Sequence, residues 1–320
     1  AERGEESVVV VDNGDALQGT PLTYLYGYGD ERDAVLADEV AHPMAEAFDA
    51  IGLDAGTVGN HEYNYGLDLL AAYEGDREAP LLGANVVDAT TGEPYHEPYT
   101  VIERVIDGET VRVGVLGLVT PGVRVWDRSH VEGVLEFQDM VTAAQEWVPR
   151  VAAESDVVVV LAHTGQGTVE DAAYDPATLP EDVAGNIARM VPGIDVLVAG
   201  HSHQDLPETV VTNTAGEQVL ITQPAYWGTS VSEVTLELAP TEDGFEVSWD
   251  EGSAPIVTPH HGRDIPVESP AVLAAIGDEH AAAVSYVNTP VAQSLAELPA
   301  ATSRYEDTAI IDFINQIQLD

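Results

Sequence analysis

Val157-Val158-Val159-Val160-Leu161-Ala162, followed by His163-Thr164-Gly165, is the stretch on which the fold turns. A short, β-branched, wholly apolar run suits a strand covered on both faces, in a sheet with helical crossovers. Similar runs occupy residues 8–11, 54–58, 81–86, 111–119 and 196–199. Between them, residues 35–51, 139–153 and 181–191 carry apolar side chains at helical spacing, and Pro180 precedes the last as a start signal. The pattern predicts an α/β layered domain.

From residue 207 to 247 the texture changes to alternating strands, as in Val231-Ser232-Glu233-Val234-Thr235-Leu236-Glu237-Leu238, with Gly216 and Gly244 marking turns. These strands are expected to be antiparallel. A looser segment starts after Asp250, with a helix predicted over 270–286 and another starting at 310–317. The division expected is 1–250 for the main domain and 251–320 for a linker and the start of a second.

The composition limits what such a domain can do. With 56 acidic residues against 11 basic ones, every one of them Arg, the formal net charge is −45, so nucleic-acid duplexes are repelled. No apolar run is long enough to span a membrane, and Ala1-Glu2-Arg3-Gly4-Glu5-Glu6 lacks the basic-then-apolar pattern of an export signal. Cysteine is absent, so disulfides and thiolate metal sites are excluded, and a metal must be held by His, Asp, Glu or Asn.

The polar residues fall at the strand ends. Gly14-Asp15 follows the first strand, Gly59-Asn60-His61 the second, His163 the run at 157–162, and Gly200-His201-Ser202-His203 the run at 196–199. In open α/β sheets the carboxyl ends of strands line one crevice, so residues far apart in sequence should meet there. Imidazoles mixed with a carboxylate and an amide oxygen suit Zn, Mn, Fe or Co better than Ca or Mg. A carboxylate such as Asp15 can bridge two such ions, an arrangement that serves in-line phosphoryl displacement. The remaining histidines, His42, His96, His130, His260, His261 and His280, are read as surface or capping residues.

Gly14-Asp15 with Gln18-Gly19-Thr20-Pro21, Gly59-Asn60-His61-Glu62, His163-Thr164-Gly165 and Gly200-His201-Ser202-His203 resemble, in order, the motifs of the 5'-nucleotidase-type, calcineurin-like metallophosphoesterases. Three further stretches, at 60–67, Val125-Trp126-Asp127 and 307–315, are similar to the 2',3'-cyclic-nucleotide 2'-phosphodiesterase/3'-nucleotidase branch. The resemblance implies a four-layer αββα sandwich and a dinuclear metal site. Asp15 would bridge, Asn60, His163 and His201 would complete one metal, and His203 would belong to the other. His61 would be the catalytic proton donor or charge stabiliser, with Asn64 in the catalytic group beside it, where the wider family usually has Asp. The substrate-binding residues are left open. The implied substrate is a small-molecule nucleotide. The alternatives are a 5'-nucleotidase or UDP-sugar hydrolase, or a catalytically impaired metal-binding fragment.

One departure is plain. Family members begin with a strand ending in Asp-x-His, and no such motif precedes Asp15. The second metal would keep only Asp15 and His203 from this chain, and the family's second domain would only begin near Asp307. The expectation is therefore a piece of a longer exported protein, placed outside the cell, in the cell wall or in the periplasm.

Overall fold

The computed structural model describes residues 4–170, 173–242, 244–265 and 267–319. Residues 1–3, at the start of the stretch read for an export signal, lie outside them. A small parallel sheet joins β1 (Val11–Asp12), β2 (Ala55–Thr57) and β3 (Leu81–Leu82) in that order. A larger sheet is built from β4 (Tyr99–Ile106), β5 (Glu109–Val119), β6 (Val157–His163), β7 (Val196–Ala199), β8 (Asp205–Thr212) and β9 (Gln218–Pro224). Its order is β8-β9-β7-β6-β5-β4, with a parallel centre and antiparallel strands at both edges.

The two-residue period of the strands explains the layers. Val159 and Leu161 of β6 face a core shared with Val113 and Val115 of β5 and with Val11, Ala55 and Leu82 of the small sheet, so the two sheets stack on each other. Val158, Val160 and Ala162 point the other way, into a core completed by Met140, Ala144, Val148 and Val151 of α3 (Met140–Ala152) and Ile187 of α4 (Ala184–Met190). Behind the small sheet, Leu81 packs with Ala45 of α1 (Pro43–Ile51) and with Leu70 and Tyr73 of α2 (Leu67–Gly75). Helix, sheet, sheet and helix follow one another, as the four-layer αββα expectation required.

Some local expectations shift. The helix predicted over 35–51 is two, Arg32–Leu36 and α1. Pro43 disfavours helical geometry at His42, which stands at φ −70 and ψ 125 and accepts a hydrogen bond from the Met44 N–H at 3.2 Å as the cap of α1. Strand β4 was not foreseen, because Glu103 and Arg104 interrupt its apolar pattern at the sheet edge. His96 is a buried core residue, not a surface one, with its Nε2 3.1 Å from the Tyr63 hydroxyl. Beyond residue 250, Ile256–His261 pairs antiparallel with Ser230–Thr235, and the helix α5 (Pro270–Val287) packs against α1.

Asp195 enters β7 and accepts a hydrogen bond from the Val158 N–H at 2.8 Å, fixing the offset of β6 and β7. Burial, partly offset by that hydrogen bond and reinforced by Glu217 and Glu246, pushes its carboxyl up to about 6. Because this lies above the ordinary value, the group's contribution to stability is full below about pH 4 and is lost as pH rises through about 6. Asp195→Asn keeps an acceptor for Val158 without the buried charge. In urea titrations it is expected to gain up to ~3 kcal/mol over the parent at pH 8 and nothing near pH 4. An equal effect at both pH values would refute this.

Candidate metal centre

The carboxyl ends of β1, β2, β6 and β7 lie side by side and deliver Asp15, Asn60, His163 and His201 to one place. Among the described residues, Asp15, His163 and His201 have ligand atoms all within 4.8 Å of one another. His163 Nε2 stands 3.1 Å from Asp15 Oδ2 and 3.2 Å from Asn60 Oδ1. Asn60 Oδ1 is also 2.9 Å from His201 Nδ1. These contacts join residues up to 141 positions apart in the chain.

Glycine makes the approach possible. A Cβ on Gly59 would lie 2.4 Å from Asp15 Oδ1 and 2.7 Å from His163 Cε1, so the cluster occupies the space a side chain would need. Gly14, at φ +86, runs its backbone against Gly59, where a Cβ would meet the Gly59 nitrogen at 2.4 Å. Asp15 and His201 themselves hold left-handed backbone, at φ 69 and 61. Strain of this kind, ~1–3 kcal/mol each, persists only where the surroundings impose it, and it gathers at functional sites.

The donor set fits a divalent cation. His163 donates from Nδ1 to the Asn13 carbonyl at 2.6 Å, which leaves the Nε2 lone pair facing two oxygen acceptors. His201 likewise has an oxygen on each side, Asn60 Oδ1 at Nδ1 and Glu181 Oε1 at Nε2, 2.7 Å away. A neutral imidazole can donate on one side only. The converging lone pairs therefore call for protons or a metal ion. In the chain alone a proton serves: burial disfavours the charged His163 ring, but Asp15 outweighs it and pushes the group up to about 9. Burial of Asp15 opposes its ionisation, yet His163 prevails and holds this carboxyl well below the usual range.

Glu62, whose role leaves no signal in the sequence, is the clamp beneath the site. Its buried carboxylate accepts from the N–H groups of Asp15 at 2.8 Å, Ala16 at 2.5 Å and Gly59 at 2.5 Å, locking the first two ligand loops together. Thr164 binds the Glu181 carbonyl at 2.5 Å and the Val183 N–H at 3.0 Å. That clasp holds 181–183 as a loop, which is why α4 begins at Ala184 and not just after Pro180.

His203, expected at the other metal, stands outside the group formed by Asp15, His163 and His201 among the described residues. Its side chain is exposed, and its ring lies 5.2 Å from Tyr226 and 6.1 Å from Trp227. Trp126 does reach the site, stacked 5.4 Å from the His201 ring. His61 stands on the rim: its N–H donates to Asp15 Oδ1 at 2.8 Å, and its Nδ1 meets Asn64 Oδ1. Asn64 in turn donates to Asp127 Oδ1 at 2.6 Å. Asp127 was missed as a site residue, although it stands in the quoted triplet Val125-Trp126-Asp127.

No known protein-family profile matches the sequence. The trifunctional nucleotide phosphoesterase protein YfkN of Bacillus subtilis is 30% identical over 98% of this chain and 22% of its own length. A 2',3'-cyclic-nucleotide 2'-phosphodiesterase/3'-nucleotidase of Haemophilus influenzae is 31% identical over 97% of this chain and 48% of its own. The chain thus spans less than half the length of these two relatives. Among solved structures, the calcineurin-like phosphoesterase YfkN from Bacillus subtilis superposes with a TM-score of 0.76 at 29% identity, covering 88% of this chain and 85% of that one. Fold, motif order and similarity along nearly the whole sequence agree, and the chain belongs to the calcineurin-like phosphoesterases.

Proposed function

We propose that this chain carries the catalytic site of a metal-dependent phosphoester hydrolase acting on 2',3'-cyclic nucleotides and 3'-nucleotides. The observation that carries the reading is the meeting of Asp15, Asn60, His163 and His201 at the ends of four strands, with His61 on the rim. These four side chains would hold one cation, and Asp15 with His203 would serve a second. A divalent ion there supplies Lewis-acid polarisation of a phosphoryl oxygen and the local positive charge that a protein of formal charge −45 otherwise lacks. The names of the relatives that match along nearly the whole chain support the choice of substrate.

The protein's own groups do the rest. His61 keeps its Nδ1 engaged by Asn64, so a proton is exchanged at Nε2, where it can pass to the leaving ribose oxygen. Trp126, stacked on His201 and about half exposed, shields one side of that ring from water. The test is hydrolysis by the purified chain with added Mn or Zn. Release of product from 2',3'-cyclic AMP and 3'-AMP, abolished by a chelator, is expected. Cleavage of 5'-AMP with 2',3'-cyclic AMP left intact would move the protein to the 5'-nucleotidases. One bound ion without turnover on any of the three would mark a metal-binding module.

A further inference from the structure

Asp127 has no evident structural task. It lies at the N-cap of the short helix Arg128–Val131, where an aspartate ordinarily spends its side chain on a helix N–H, yet it makes no such bond. It is 5% exposed, and its Oδ2 has no hydrogen-bond partner. The hydrogen bond its side chain does make is from Asn64 Nδ2 to Oδ1, at 2.6 Å. A carboxylate that is buried for one hydrogen bond is costly unless that bond matters.

We infer that Asp127 is a positioning residue that selects the imidazole tautomer of His61 by fixing which way the Asn64 amide faces. An amide has one accepting and one donating end, and the two differ little in shape. With a carboxylate behind it, Asn64 must turn Nδ2 to Asp127 and Oδ1 to His61. His61 then carries its hydrogen on Nδ1, against the Asn64 oxygen, and its lone pair on Nε2. Turned over, the amide would present N–H to Nδ1, force the hydrogen onto Nε2 and leave no acceptor for the charged ring. The short helical turn His61–Tyr63 places positions 61 and 64 on one face, and the segment after β5 carries Asp127 to the same crevice, because Val119 pairs with His163.

The part concerning turnover rests on the proposed hydrolase reading; the tautomer does not. Two readouts separate them. In the metal-free chain labelled with 15N-histidine, the His61 signals, assigned with His61→Ala, are expected to report hydrogen on Nδ1. In Asp127→Asn, whose amide no longer dictates an orientation, a mixture of both tautomers is expected. With metal and 2',3'-cyclic AMP, Asp127→Asn should lower kcat ~10-fold, with KM changed less than twofold. The exchanged pair Asn64→Asp with Asp127→Asn, which again puts an acceptor against His61 and a donor behind it, should recover most of both signals. An unchanged tautomer in Asp127→Asn overturns the inference whatever the activity does. So does a double variant no better than the single one. Absence of turnover in the parent, with the tautomer shift intact, would instead sink the hydrolase reading alone.

Discussion

Asp15→Asn is expected to reduce phosphoester hydrolysis by at least ~10³-fold and to abolish tight metal retention, while leaving the fold in place. The amide keeps an oxygen to accept from the His61 N–H, a contact of 2.8 Å, so the loop stays anchored. What disappears is the negative charge that the surrounding imidazoles cannot replace. Loss of ~4 kcal/mol of electrostatic stabilisation corresponds to that factor in rate. Metal content by atomic emission after gel filtration checks the first half, and steady-state kinetics the second. The variant also has a signature without metal. In the parent under chelator, His163 is pushed up to about 9, above its ordinary 6.5, so its contribution is full below about pH 6.5 and is lost as pH rises through about 9. Asp15→Asn removes the cause and should flatten that decline. A variant that binds metal like the parent would remove the basis for the proposed centre.

His61→Ala is expected to lower kcat ~10²–10⁴-fold with metal content and KM little changed, because a group that moves a proton acts on the transition state more than on binding. His61 lies beside the cluster and contacts Asp15 through its backbone N–H, which the substitution keeps. The loss should shrink for substrates whose leaving group needs no proton. A 4-nitrophenyl phosphodiester is the check: if it is cut as poorly as 2',3'-cyclic AMP relative to the parent, His61 is not the proton donor.

Particular residues show how much could be read beforehand. The runs at 157–162 and 196–199 predicted β6 and β7 almost to the residue, because a strand buried on both faces must be apolar throughout and has no reason to be longer than the sheet is deep. Asp15, Asn60, His163 and His201 could be named because each ends such a run. Glu62 and Asp127 stand in the stretches 59–62 and 125–127 but have no role legible there. A carboxylate that clamps backbone N–H groups, or one that orients an amide, leaves no periodic trace. The edge strand β4 escaped for a related reason: solvated on one side, it carries Glu103 and Arg104 where a central strand would be apolar.

Sequence alone determined the layered α/β architecture, the ends of the buried strands and the types of candidate ligand, since these follow from local hydrophobic period, glycine placement and the absence of cysteine. Only the tertiary structure decided which of the candidates touch. It brought Asn60 to both His163 and His201, turned His203 toward Tyr226 and Trp227, and set Asp127 behind Asn64. The reason is geometric: hydrogen bonds and metal ligation depend on ångström-scale directions of side chains brought together by packing across as many as 141 residues, and no pattern within one segment encodes them.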